Sequence, residues 1–108
     1  MKSQQIIDYG KPLSSTKTER PVPSGTQVLV SVNSCGVCHS DLHLQDGFFE
    51  LGNERKLDTT GRRALPFTLG HEIQGIVHSM GPDVNEIDIG QECVVFPWIG
   101  CGKCQHCD

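Results

Sequence analysis

A chain of 108 residues has the length of one small domain and can bury only a modest core, so bound metal would help to hold it together. Its 9 basic and 13 acidic residues give a net charge of −4, which excludes the basic footprint expected of a partner for nucleic acid or an anionic membrane. It contains no apolar run near the roughly 18 residues of a membrane span, and Met1-Lys2-Ser3-Gln4-Gln5 lacks the apolar block of a signal peptide. The expectation is a cytoplasmic chain whose six cysteines stay reduced and favour metal ligation over a disulfide framework.

The predicted elements are mostly strands. Ile6 and Ile7 start the first. After the turn signal at Gly25, residues 27–33 alternate, with Val28, Val30 and Val32 on one side and Gln27, Leu29, Ser31 and Asn33 on the other. Residues 39–46 are the one stretch that reads as a helix, with Ser40 or Asp41 as N-cap. The stretch 50–65 is polar and charged and reads as a long loop; within it the pair Arg62-Arg63 reads as solvated. Residues 73–79 and 92–96 are β-branched or aromatic runs bounded by glycine or proline, separated by the turn Gly81-Pro82-Asp83. Strands at this spacing, without strand–helix alternation or a G-x-G-x-x-G, predict a small partly open barrel and no nucleotide-binding sheet in this segment.

Two groups of residues carry metal chemistry. Cys101, Cys104 and Cys107 have C-x2-C-x2-C spacing, which brings three thiols within reach of one soft metal ion. A closed structural zinc site needs four donors, so the run implies a further ligand. Cys38 follows the strand at 27–33, and Gly70-His71-Glu72 precedes the strand at 73–79. Cysteine, imidazole and carboxylate are the donor set of a catalytic zinc, and strand ends suit a site that must keep one position open. Spacing alone does not pair Cys38 with His71; that needs the fold.

In this order, Gly36-Val37-Cys38-His39-Ser40-Asp41-Leu42-His43, Gly70-His71-Glu72 and the Cys101/Cys104/Cys107 run resemble the zinc-containing medium-chain alcohol dehydrogenases, from about residue 20 onward. The resemblance implies a mainly β, GroES-like fold over residues 1–108, incomplete at its C-terminus, with short helices and with the Rossmann domain outside this chain. Cys38 and His71 are implied ligands of a catalytic zinc, with Glu72 beside it and Asp41 orienting His71. Ser40 is implied to accept the proton of the alcohol, and His43 to pass it toward solvent. His39 is implied to face the pyrophosphate of NAD or NADP, while Phe49 and Trp98 line the alcohol pocket. Cys101, Cys104 and Cys107 are implied ligands of a structural zinc whose fourth cysteine lies past Asp108.

The implied reaction is hydride transfer between a small-molecule alcohol and a nicotinamide cofactor, giving an aldehyde or ketone, by a homo-oligomer when full length. A third protein ligand of the catalytic zinc and the nucleotide-binding domain are not among these residues, so the segment alone is expected to be inactive. The segment between Gly47 and Gly70 is longer than in the commonest members, which leaves substrate range open. Read without the family, Cys35, Cys38, Cys101 and Cys104 could instead form one zinc-ribbon site in a non-catalytic module. The gap from Cys38 to Cys101 far exceeds the roughly 15–20 residues usual for such a site. Cys35 and Cys93 are read as strand residues outside the ligand sets.

Overall fold

The computed structural model describes residues 1–101 and 103–107. Among these residues, eight strands and one α-helix follow in the order β1 (Lys2–Ile6), β2 (Ser14–Lys17), β3 (Val28–Gly36), α1 (His39–Asp46), β4 (Phe48–Gly52), β5 (Arg55–Asp58), a 3-10 turn at Thr60–Arg62, β6 (Phe67–Thr68), β7 (Glu72–Met80) and β8 (Glu92–Val94). They form three small sheets, β2-β1-β6, β3-β7-β8 and β4-β5, in which each ladder is antiparallel. The architecture is mainly β and open, as expected, and no parallel sheet occurs among the described residues. The largest fully buried side chains are Ile6 from the first sheet and Val77 from the second.

The β3–β7 ladder is the longest, running from Val28↔Met80 to Gly36↔Glu72. Both strands are rich in β-branched residues, which suit a pleated, half-buried surface. The expected alternation over 27–33 is interrupted. Register shifts at Leu29/Val30 and Val32/Ser34 insert an extra residue first in β7 and then in β3, and such bulges re-aim the side chains that follow. Val32 accordingly stands 56% exposed.

Three sequence expectations are corrected. Ile6 ends the first strand rather than starting it. Strands β1, β2 and β6 are largely polar, and side-chain hydrogen bonds connect them: Ser3 Oγ with Thr16 Oγ1 at 2.8 Å, and Gln5 Nε2 donating to Thr68 Oγ1 at 3.0 Å. Residues 50–65 are no structureless loop. They contain most of the β4–β5 hairpin, closed by Asn53 (φ 50°) and Glu54 (φ 61°) as a two-residue turn with both central residues left-handed. The 3-10 turn follows, fixed by Asp58 Oδ1, which accepts from Thr60 N (2.8 Å) and Thr60 Oγ1 (2.7 Å). The Thr60 hydroxyl and the Thr60 N–H hold the Asp58 carboxyl below its usual range; desolvation opposes them, and the charge of Arg62 adds the least. The helix N-cap is Cys38, not Ser40 or Asp41.

Gly47 closes α1 in the left-handed conformation (φ 85°), and its N–H donates to His43 O at 3.0 Å. Its carbonyl accepts from Thr59 N at 2.9 Å, tying the helix end to the end of the hairpin. A Cβ at this position would lie 2.9 Å from Thr60 Cγ2 and 3.1 Å from Tyr9 Cδ1. Gly47→Ala is therefore expected to destabilise the protein by about 1–3 kcal/mol, combining left-handed strain with crowding. Glu54→Gly relieves strain of about 1–2 kcal/mol but adds freedom to the unfolded chain, so a net gain of about 0.5–1 kcal/mol is expected. Urea denaturation midpoints of the two variants, moving in opposite directions, check both values.

Candidate metal centre and adjoining cavity

The site is assembled at one end of the β3–β7 ladder. Gly36 pairs with Glu72, so the residues just after β3 and just before β7 emerge side by side. This places Cys38 and His71, distant in sequence, with ligand atoms within 4.8 Å of each other and of a Glu72 carboxylate oxygen. A Cβ at position 36 would meet Glu72 Oε2 and lie 3.1 Å from Glu72 Cβ, so a side chain there would push the Glu72 carboxylate out of its present place.

Asp41 organises the start of α1. Its Oδ2 accepts the Cys38 N–H at 3.0 Å, the reciprocal arm of an N-terminal capping arrangement, so the same residue that starts the helix also fixes the backbone carrying the thiol. Its other oxygen, Oδ1, lies 3.4 Å from His71 Nδ1. The carboxylate is 6% exposed, and Oδ1 has no hydrogen-bond partner at full strength. An imidazole that offers Nδ1–H to such a group keeps Nε2 as its donor atom. Thiol, imidazole and carboxylate together, with a buried carboxylate behind the ring, fit zinc.

A cavity of about 570 Å³ opens from this point. Ser40, Asp41, Gly70 and His71 line it, and Leu44, Phe49, Leu57, Pro97 and Trp98 supply apolar wall. Cys38 Sγ and Ser40 Oγ are 3.7 Å apart. His43, one helical turn beyond His39, stacks against it with centroids 4.5 Å apart and against Phe49 at 4.7 Å. His39 is exposed at the first turn of the helix, and Trp98 is 77% exposed.

The expected residues thus fall into two groups. Cys38, Ser40, Asp41, His71 and Glu72 come together, with Phe49 and Trp98 on the cavity wall and His39 and His43 stacked along α1. Cys101, Cys104 and Cys107 form the second group, with donor atoms within 4.8 Å of one another. Cys107 Sγ lies 3.8 Å from Cys101 Sγ and 3.4 Å from Cys104 Sγ, non-covalent separations near the sulfur–sulfur distance of about 3.8 Å across a tetrahedral zinc with bonds of about 2.3 Å. The zinc-ribbon alternative is not supported, because Cys38 groups with His71 and Glu72 while Cys101 and Cys104 group with Cys107. Cys35 lies in β3 opposite Ile73, and Cys93 is half-buried in β8.

Sequence reasoning missed Leu57, Thr59, Arg62, Arg63 and Phe67 on the cavity wall. Gly52-Asn53 between Leu51 and Leu57 was a usable hairpin signal, and that hairpin leads to all five.

Comparison with known proteins gives a consistent picture. Residues 24–108 match the family model described as the alcohol dehydrogenase GroES-like domain. The chain is 42% identical over 107 residues to an NAD-dependent alcohol dehydrogenase of Saccharolobus solfataricus, covering 99% of this chain and 30% of that protein. It is 35% identical over 109 residues to an alcohol dehydrogenase of Geobacillus stearothermophilus, covering 99% and 29% respectively. The crystal structure of the alcohol dehydrogenase from Aeropyrum pernix superposes with a TM-score of 0.81 at 30% identity, covering 99% of this chain and 29% of that one. The chain therefore spans about 30% of the length of the curated relatives it matches.

The double use of Asp41 separates two effects. Asp41→Ala removes the acceptor for Cys38 N–H and is expected to cost about 1–2 kcal/mol in urea denaturation of the zinc-free protein. Asp41→Asn keeps an acceptor at that position but loses the charge facing His71, so stability changes less while zinc affinity falls about 10- to 100-fold in chelator competition.

Proposed function

We propose a function from one premise, that this chain belongs to the alcohol dehydrogenase GroES-like domain family: it is the metal-holding, alcohol-binding part of a zinc-dependent oxidoreductase that moves hydride between an alcohol and NAD or NADP. The observation that carries the reading is the convergence of Cys38, His71 and Glu72 beside a cavity that His71 and Ser40 line. Cys38 and His71 would hold the catalytic zinc, with Glu72 at its edge, and Cys101, Cys104 and Cys107 would hold a structural one. Bound zinc would supply a Lewis acid that brings the pKa of a hydroxyl toward neutrality, and a nicotinamide cofactor would supply the hydride acceptor.

The chain's own residues have distinct parts in this scheme. Asp41 keeps His71 in the Nδ1–H tautomer and steadies the Cys38 backbone. Ser40 Oγ takes the hydroxyl proton in the cavity. His43, three residues along the same helix face, moves that proton outward, since imidazole titrates in the working range. Stacking between His43 and Phe49 orients the His43 ring, and His39, exposed at the start of α1, would face the cofactor pyrophosphate. Leu44, Phe49, Leu57 and Trp98 would give the substrate an apolar wall.

In the full-length protein, Cys38→Ser is expected to remove one of two zinc ions per chain and to lower activity by about a thousandfold or more, while the ion at Cys101, Cys104 and Cys107 stays bound. Zinc analysis alongside NAD- and NADP-linked assays of alcohol oxidation checks this. Unchanged turnover in the Cys38 variant would refute the reading.

A further inference from the structure

The cavity has a charge that the proposed chemistry does not use. Arg62 and Arg63 both line it, together with Ser40, Asp41 and His71. The lining contains one carboxylate, Asp41, and that group is already turned to Cys38 N and His71. Arg62 makes no ion pair among the described residues, and its charge is the least of the influences on the Asp58 carboxyl. Arg63 makes no ion pair among the described residues. It leaves the 3-10 turn in an extended conformation (φ −141°, ψ 141°), and its guanidinium carbon sits 5.2 Å from the centroid of the Phe67 ring, itself part of the wall. A cation–aromatic contact of this kind restrains a long side chain that would otherwise sample solvent.

We propose that Arg63 is a specificity residue that receives a carboxylate on the substrate, so that the cavity takes an alcohol or aldehyde bearing an acidic group at the end away from the reacting oxygen. The inference rests on the dehydrogenase reading above for the reacting end and on Arg63 alone for the other. A planar guanidinium presents paired N–H donors that match a carboxylate, and the match is stronger than with a neutral polar group. The discrimination also works in reverse. A wholly apolar alcohol filling this space would strip water from an uncompensated guanidinium and return no hydrogen bond, whereas a carboxylate replaces that water. A cavity of about 570 Å³ has room for an aromatic ring with substituents at both ends. Arg62 and Arg63 are exposed, as a solvated pair should be, and both also line the cavity.

The test uses the full-length, zinc-loaded protein and two matched probes, benzyl alcohol and 4-(hydroxymethyl)benzoate. The wild-type protein is expected to prefer the acid. Arg63→Ala should lower the ratio of kcat/KM for the acid to that for the neutral alcohol about 10- to 100-fold, with Arg63→Lys intermediate and Arg62→Ala weaker. Added salt should erode the wild-type preference more than that of the Ala variant. Calorimetric binding of 4-methylbenzoate, which cannot be oxidised, gives a second readout and should weaken by a similar factor. Arg63→Gln replaces Arg63→Ala if the latter does not fold. A ratio unchanged within about twofold, or a rise in KM for the nicotinamide cofactor with the substrate ratio intact, overturns the proposal. Arg63-dependent binding of 4-methylbenzoate without oxidation of either alcohol leaves the carboxylate subsite standing and overturns the dehydrogenase reading. Neither binding nor turnover overturns both.

Discussion

The pairing of Gly36 with Glu72 at the end of the β3–β7 ladder is the constraint on which the site depends. It makes neighbours of two short segments that are remote in sequence, and a thiol and an imidazole then share one point in space without any local motif joining them. Because strand side chains alternate between faces, a slip of one residue in this register would turn the segments away from each other. The two bulges lie elsewhere along the ladder, at Leu29/Val30 and Val32/Ser34, and the last three pairs run without a shift. Regular pairing is kept where the donors leave the sheet, and irregularity falls where side chains only need to meet the core or solvent.

Asp41 adds a second layer of order at little extra cost in structure. A carboxylate at the third position of a helix satisfies an N–H that would otherwise be orphaned, and here that N–H belongs to the residue with the thiol. The opposite oxygen faces the imidazole from β7's leading edge. Helix start, thiol backbone and ring orientation are thereby coupled through one buried group. Folding of α1 and arrangement of the donors become a single event.

The sequence showed some of this directly. Strands β3 and β7 and helix α1 were legible because their apolar or β-branched runs and flanking glycines carry clear periodicity and boundaries. Strands β2 and β6 were not, since Ser14–Lys17 and Phe67–Thr68 are short and lean on hydroxyl and amide hydrogen bonds that leave no hydrophobic pattern. In the β4–β5 hairpin the turn signal at Gly52-Asn53 was present, but Glu50, Glu54, Arg55 and Lys56 gave the stretch the composition of a loop. The donors could be named from the order of their motifs, yet their meeting depends on register, which spacing does not encode. Arg62 and Arg63 were visible as charge without direction; direction comes from the 3-10 turn that Asp58 and Thr60 close.

The cavity has two kinds of wall. One end is built from the ladder and the helix start, where backbone pairing fixes each donor. The far side comes from a hairpin whose own ladder joins only β4 to β5 and whose tip is a strained pair of residues in open solvent. A change in the length or charge of the hairpin would therefore reshape one wall of the cavity while leaving the ladder that brings Cys38 and His71 together untouched.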